Sequence, residues 1–245
     1  MQSILSIAGL DTSCGAGICA DVKTAKALSF HACTAITAIT FQNTCEVQGM
    51  EPVDKKVLTE QLDAITGDIP ISAIKIGLVP DKETAEIIGR TLKKLNVPTV
   101  LDPVIRSTTG FDIGSLEGYR LLIPSCSVIT PNAHEMRQLT GITVSSVETA
   151  KEAAASLPEG ISVVITGING RDLIFDPFNG NFHIIGKELE MGKVHGTGCV
   201  YSTSLACHLV SRSDLFTACK KSRRLTIAAA RRANTIGKCL PVVNP

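Results

Sequence analysis

Near the C-terminal end of the 245-residue chain, Gly196-Thr197-Gly198-Cys199 opens the stretch VHGTGCVYSTSLACHLV, which runs from Val194 to Val210. Glycine is a poor helix former, so two of them at a helix start mark a place where something approaches the backbone closely. The unpaired N–H groups of such a start, at the positive end of the helix dipole, favour an anion without any lysine. Cys199 adds a thiol at the same place, where its pKa is expected to fall below the free value of about 8.5. It could accept a proton from an alcohol while the amides hold a transferring phosphoryl group. A tight turn into a core helix, packed through Ser202, Ala206 and Leu209, explains the same glycines, with Cys199 then an inert buried thiol.

Two further patterns suit phosphoryl chemistry. Asn132-x-x-Glu135 places an amide and a carboxylate about one helical turn apart, able to hold magnesium through its waters. The same spacing also makes an N-terminal capping box. Asp102, just before Pro103, is expected to face the metal and the γ-phosphate. No GxxxxGK[ST] occurs, which excludes an ordinary P-loop. Gly15-Ala16-Gly17-Ile18-Cys19-Ala20 matches the dinucleotide pattern GxGxxA, but it starts well past Gly9, where the strand ends. The second strand also ends in Thr40-Phe41-Gln42 without the expected acid, so an NAD-dependent oxidoreductase is only a remote alternative. Asp21, one turn into the helix after this loop, either points a carboxylate at a flat ligand or stabilises the helix dipole.

The elements that must position these groups alternate along the chain. Apolar, β-branched runs at Ile4–Ala8, Thr34–Thr40, Ala73–Ile76, Thr99–Leu101, Val128–Thr130 and Ser162–Ile165 read as strands buried on both faces. Helical patterns lie between and after them, at Ala16–Leu28, Asp54–Ile65, Lys82–Leu95, Ala133–Leu139, Val147–Leu157, Thr197–Val210 and Asp214–Ile236. This predicts an α/β protein with a doubly wound, mostly parallel sheet. Asp172–Ile185 reads as a hairpin turning at Asn179-Gly180, an antiparallel addition at the sheet edge. With no linker or repeat, residues 1–245 are expected to form one domain. Ligands of such sheets bind beyond the carboxyl ends of the strands, where Gly9, Gln42, Asp102, Asn132, Thr166 and Gly167 gather.

Composition narrows the class. A formal net charge of +1 gives no general reason to expect nucleic acid or membrane as a partner. The basic run from Lys220 to Arg232 spreads around several helix faces and reads as solvated surface. Nine cysteines, mostly within apolar runs and without a CxxC pair, argue against structural zinc. They fit small buried hydrophobes in a reducing, cytoplasmic setting. The N-terminal MQSILSIAGLD reads as a strand rather than a leader, and no apolar run is long enough to span a membrane.

Taken in order, AGLDTSCGAGICADVKT, FQNT, KIGL, DPV, ITPNxxE, VVITG and HGTGC resemble the ribokinase-like vitamin kinases, above all the hydroxymethylpyrimidine/phosphomethylpyrimidine kinases. The likeness spans nearly the whole chain. It implies a ribokinase-like three-layer fold and phosphorylation, with ATP and magnesium, of hydroxymethylpyrimidine and then its monophosphate in thiamine biosynthesis. It also implies a homodimer. By position, Gly9, Asp21, Gln42, Leu78 and Val104 would contact the pyrimidine. Gly196, Thr197, Gly198 and Cys199 would form the catalytic anion hole, with Cys199 as the base. Asn132, Thr166 and Gly167 would bind the nucleotide, and Asp102 and Glu135 would lie at magnesium. Pyridoxal kinase, on the same scaffold, is the alternative. The chain departs from the family at Cys14 and Cys19, at Val164-Ile165-Thr166-Gly167-Ile168-Asn169 in place of VKGGH with a shortened stretch after it, and in IRSTTG after DPV, where Arg106 or Thr108 would meet phosphate.

Overall fold

The computed structural model describes residues 1–245 apart from 108–109, 179, 188–191 and 212. The elements run β1 (Ser3–Asp11), α1 (Gly17–Ala27), β2 (His31–Gln42), β3 (Val47–Pro52), α2 (Lys55–Asp68), β4 (Ala73–Ile76), α3 (Lys82–Leu95) and β5 (Thr99–Leu101). Then follow α4 (Leu116–Leu122), β6 (Val128–Ile129), α5 (Ala133–Thr140), α6 (Val147–Ala155), β7 (Ser162–Ile168), β8 (Arg171–Asp176), β9 (Asn181–Ile185), α7 (Thr197–Val210) and α8 (Leu215–Arg231). The described strands form one nine-stranded sheet in the order β3-β2-β1-β4-β5-β6-β7-β8-β9. Its centre is parallel, while β3 at one edge and β8 and β9 at the other run antiparallel.

Strand parity creates two apolar layers. Leu5, Ile7, Ile74, Ile76, Leu101 and Ile129 face α2 to α6, whereas Ile4, Ala73, Val100 and Val128 face α1, α7 and α8. Helices therefore cover both faces, which explains the continuous apolarity of the central strands. On the α1/α7 side, parity also puts Ser6, Lys75 and Asp102 one step beyond Ile4, Ala73 and Val100. Polar groups thus collect between the sheet and α7 beneath the carboxyl ends of β1, β4 and β5.

Local signals place the helix starts. Asp54, Asp81, Ser115, Ser146 and Asp214 cap α2, α3, α4, α6 and α8 through side-chain oxygens. Three expectations need correction. β3 and α4 were not foreseen: β3 contains glycine and proline and exists through pairing with β2, and α4 is a short helix of about two turns held against α3. α8 stops at Arg231 rather than Ile236, because the chain leaves the helix so that Asn234 pairs with Val242. The hairpin of β8 and β9 forms, though Asn179 of its expected turn lies outside the described residues.

Candidate active site

A cleft of about 920 Å³ opens along the carboxyl ends of the parallel strands, where ligands of such sheets bind. Gly9, Gln42, Leu78, Val104, Asp102, Asn132, Glu135, Thr166, Gly167 and the run Gly196–Cys199 all line it. Among the described residues, the structure thus brings together the pyrimidine, nucleotide, metal and catalytic candidates read from the sequence, except Asp21.

Asp21 requires a correction. It is fully buried and does not line the cleft. Its carboxylate accepts hydrogen bonds from Ser6 Oγ at 2.5 Å, Thr203 Oγ1 at 2.7 Å and Lys75 Nζ at 2.9 and 3.0 Å. Both oxygens are committed to these internal donors, which leaves none for a ligand. Nor is it a first-turn acid, since α1 begins at Gly17 with no acidic residue in its first turn. Lys75, also fully buried, reaches the cleft floor. Burial pulls the Lys75 pKa down, but the charges of the Asp21 and Asp102 carboxylates, Asp21 first, outweigh it and hold the ammonium above its usual range.

The two glycines of the GxGxxA match have a structural reason unrelated to pyrophosphate. A Cβ at Gly17, where φ is +55°, would lie 2.2 Å from the Gly9 carbonyl oxygen. A Cβ at Gly15 would lie 2.4 Å from the His195 ring. The loop is pressed between β1 and the segment before α7. Asp11 organises it, accepting from the Ser13, Gly15 and Ala16 amides and from Ser13 Oγ at 2.8–3.0 Å. His195 Nε2 lies 2.8 Å from Asp11 Oδ2, and the Gln42 side-chain amide lies 2.8 Å from the same nitrogen. Burial raises the Asp11 pKa, yet the hydrogen bonds of His195 and Ser13 prevail and leave it below the usual value. The ring's tautomer decides which contact is a hydrogen bond: a protonated Nε2 donates to the Asp11 carboxylate, and a bare Nε2 accepts from the Gln42 amide. Asp11, Lys75 and His195 were not assigned from sequence. Lys75 had a signal, a lone charge within the apolar AIKI strand, which demands a buried partner.

At the start of α7, Gly196 takes φ +93° and a Cβ there would sit 1.9 Å from the Gly15 carbonyl oxygen. Only glycine fits this position. No side chain caps the helix. Asp102 lies alongside, its carboxylate 3.7 Å from where a Gly198 Cβ would stand, and it accepts from Ser202 Oγ at 3.0 Å. Cys199 Sγ accepts the Gly17 N–H at 3.3 Å, so two helix starts converge on this sulfur. The expected depression of its pKa is nevertheless overturned. Burial pushes the thiol up to about 12, with Asp21 and Asp102 adding to the rise and Lys75 and the Gly17 amide only partly opposing it.

The capping-box alternative for Asn132 and Glu135 is realised: Asn132 Oδ1 accepts the Glu135 N–H at 3.0 Å, and Glu135 Oε2 accepts the Asn132 N–H at 2.8 Å. Both residues still line the cleft. Burial pushes Glu135 up to about 8, and the charge of Asp102 adds to it. Burial raises Asp102 as well, against Lys75 and Ser202. Two buried carboxylates that line one cleft, Glu135 raised by burial and by Asp102, form a donor pair suited to a hard cation. Among the described residues no group of three or more such ligands occurs.

The far end of the cleft is lined by Thr166, Gly167, Gly170, Lys193, Val194, Thr226 and Ile227. Arg223 of the basic run turns inward here to pair with Asp172 at 3.0 Å, while Lys220, Lys221, Arg224, Arg231 and Arg232 stay exposed. Arg106 lines the cleft too, donating to the Gly110 carbonyl and pairing with Asp112 at 3.1 Å. Thr108 lies outside the described residues. The view of the cysteines as unpaired also needs revision, because Cys45 and Cys239 form a disulfide between the β2–β3 turn and the segment after α8. The other seven are free, and no described helix is long and apolar enough to cross a membrane.

The family model described as phosphomethylpyrimidine kinase matches residues 11–244. The chain belongs to the phosphomethylpyrimidine kinase family. It is 36% identical to the hydroxymethylpyrimidine/phosphomethylpyrimidine kinase of Aquifex aeolicus, over 96% of each chain. The crystal structure of phosphomethylpyrimidine kinase from Clostridium difficile is 31% identical, with a TM-score of 0.79 over 94% of this chain and 99% of that one. The pyridoxal kinase of Staphylococcus aureus in complex with AMP-PCP and pyridoxal is 26% identical, with a TM-score of 0.86 over 100% of this chain and 93% of that one. As a family member the chain is a kinase with the ribokinase-like fold, and the cleft is this phosphomethylpyrimidine kinase scaffold's candidate active site.

Proposed function

We propose that this chain transfers the γ-phosphoryl group of ATP to hydroxymethylpyrimidine and then to its monophosphate, giving the diphosphate used in thiamine biosynthesis. The observation that carries this reading is the juxtaposition of a polar and an apolar acceptor site directly beside the glycine-rich start of α7. Gln42, braced by His195 and Asp11, supplies hydrogen bonds for an aminopyrimidine edge, while Leu78, Val104 and Ile113 flank a flat ring. The uncapped start of α7 receives the transferring phosphoryl group, and positioning plus charge stabilisation supply most of the rate. Cys199 accepts the acceptor's hydroxyl proton. Burial keeps most of the resting population as thiol, so the competent thiolate is a minor form at neutral pH whose share grows with pH.

Asn132, Thr166 and Gly167 line the nucleotide end, which the AMP-PCP complex of the S. aureus relative supports as a nucleotide-binding region of this fold. Asp102 and Glu135 would hold magnesium, through its waters, and the ion would neutralise phosphate oxygens when bound. Residues 1–245 act as one domain on this reading, supported by the single sheet running through them. A homodimer fits the exposed Ile39 and Phe41 on β2 beside the open edge of β3. The seven free thiols support a cytoplasmic setting.

The test is incubation with ATP, magnesium and, separately, hydroxymethylpyrimidine, its monophosphate and pyridoxal, with ADP release followed. Turnover of both pyrimidines is expected. Turnover of pyridoxal alone would assign the second reading, pyridoxal kinase, which the full-length overlap with the S. aureus pyridoxal kinase favours.

A further inference from the structure

The Cys45–Cys239 disulfide joins two segments that adjoin Gln42 and His195, neighbouring residues of the cleft lining. Cys45 lies in the turn immediately after Gln42, a turn tightened by Asn43 Oδ1 accepting the Cys45 and Glu46 amides at 2.7 and 3.0 Å. Cys239 lies in the segment after α8, which has neither helix nor strand and is held by isolated bridges. That segment docks on the turn: the Leu240 amide donates to the Thr44 carbonyl at 3.1 Å, and Gly237 packs so closely that a Cβ would meet Thr44 Oγ1 at 2.2 Å.

The same segment then braces the catalytic side. The His195 amide donates to the Pro241 carbonyl at 2.9 Å, and the Val243 amide returns a bond to the His195 carbonyl at 3.1 Å. Val243 also packs against Gly196, where a Cβ would lie 2.8 Å from its side chain. Gln42 and His195 touch each other, and each is adjacent to one of the two segments that the disulfide joins. Backbone hydrogen bonds at Asn234, Cys239, Leu240, Pro241, Val242, Val243 and Asn244 hold the post-α8 segment without helix or strand, and the covalent link to Cys45 shifts its opening equilibrium further toward the docked form.

We propose that Cys45 and Cys239 form a redox modification site, a clamp whose closure pre-organises the acceptor end of the cleft and whose reduction releases the segment from His195. Both residues are exposed, so a small thiol can reach them. Reduction by a dithiol breaks the one S–S bond, with two electrons and two protons passing from the reductant to give two thiols, and the dithiol leaves as its own disulfide. Re-oxidation by a low-molecular-weight disulfide reverses the exchange, its two sulfurs leaving as thiols. The consequence for turnover rests on the acceptor reading above; the opening of the segment does not.

The test compares the oxidised protein, verified by peptide mass, with the same protein reduced by a dithiol and verified by thiol count. Hydrogen exchange reads the amides of His195, Leu240, Val242 and Val243, and steady-state kinetics read KM for the pyrimidine alcohol and for ATP. Reduction is expected to deprotect these amides and raise the acceptor KM by about tenfold, as losing a pre-organised wall does, with the ATP KM unchanged. A Cys45→Ser/Cys239→Ser protein is expected to show the loosened values and no response to the dithiol. Unchanged exchange in the reduced protein overturns the clamp, as does loosening without a change in acceptor KM, an equal change in the ATP KM, or failure of excess low-molecular-weight disulfide to re-form the bond. If neither redox state phosphorylates the pyrimidine, the functional reading falls, and the exchange data still decide whether the segment opens.

Discussion

Replacing Lys75 by methionine isolates the buried ion pair beneath the cleft. In the native protein Lys75 Nζ sits 2.9 and 3.0 Å from the two Asp21 oxygens, and neither side chain is exposed to solvent. Methionine preserves volume but leaves the Asp21 carboxylate with only the Ser6 and Thr203 hydroxyls. Removing one partner of such a pair costs about 3–5 kcal/mol, because a charge remains buried without compensation. For a chain of this size each kcal/mol lowers Tm by about 2–4 °C, so a fall of about 6–20 °C is expected. Adding Asp21→Asn removes the stranded charge while keeping an acceptor for the hydroxyls. The double variant is then expected to be more stable than Lys75→Met alone, with a coupling of about 2–3 kcal/mol. Urea unfolding followed by circular dichroism measures all four corners of the cycle. A single-variant loss under about 1 kcal/mol, or strictly additive losses, would refute the argument that the pair is closed off from water.

Further outcomes follow from the same geometry. Cys199→Ala is expected to lower kcat by about 10²-fold with the ATP KM unchanged, and near-normal turnover would hand the proton to water. Because burial pushes this thiol up to about 12, kcat/KM for the acceptor should climb with pH through pH 9 without levelling; a plateau near neutrality contradicts the assignment. Gly196→Ala meets the Gly15 carbonyl oxygen at 1.9 Å and should lower turnover by about 10²-fold or more, whereas Gly198→Ala, with Asp102 3.7 Å away, should be far milder. Equal effects of the two glycine changes would argue against the tight contact. Asp11 has a folded pKa below its unfolded one, so its stabilising contribution is complete above the unfolded value of about 3.9 and is lost as pH falls below it. Asp11→Asn should therefore flatten the stability profile in that acid range, and an unchanged acid slope would contradict it.

How much of this was legible depended on range. Ala73–Ile76, Thr99–Leu101 and Lys82–Leu95 were read with the boundaries they have, because continuous apolar runs and the Asp81 cap are local signals. Gly9, Gln42, Asp102, Asn132, Thr166 and Gly167 were legible because they lie at strand ends, and Gly196–Cys199 because they open a helix, whereas Leu78 and Val104 came from the family resemblance. β3 was not legible, because its identity comes from pairing with β2 rather than from its own residues. Asp21 was misread because its partner Lys75 lies 54 positions away, a contact that only the β1–β4 pairing and the packing of α1 on the sheet create. The Cys199 pKa followed the same pattern: the helix start was visible in the sequence, but the depth of burial that outweighs it was not. The disulfide, across 194 positions, had no local signal at all.

The most direct test of the account is a crystal structure with ADP, magnesium, aluminium fluoride and hydroxymethylpyrimidine. The fluoride complex is expected against the amides that open α7, between the nucleotide and a pyrimidine seated on Gln42, with its hydroxyl at the Cys199 sulfur. Density for it anywhere else in the cleft, or a pyrimidine that leaves Gln42 and Cys199 untouched, would contradict the claim.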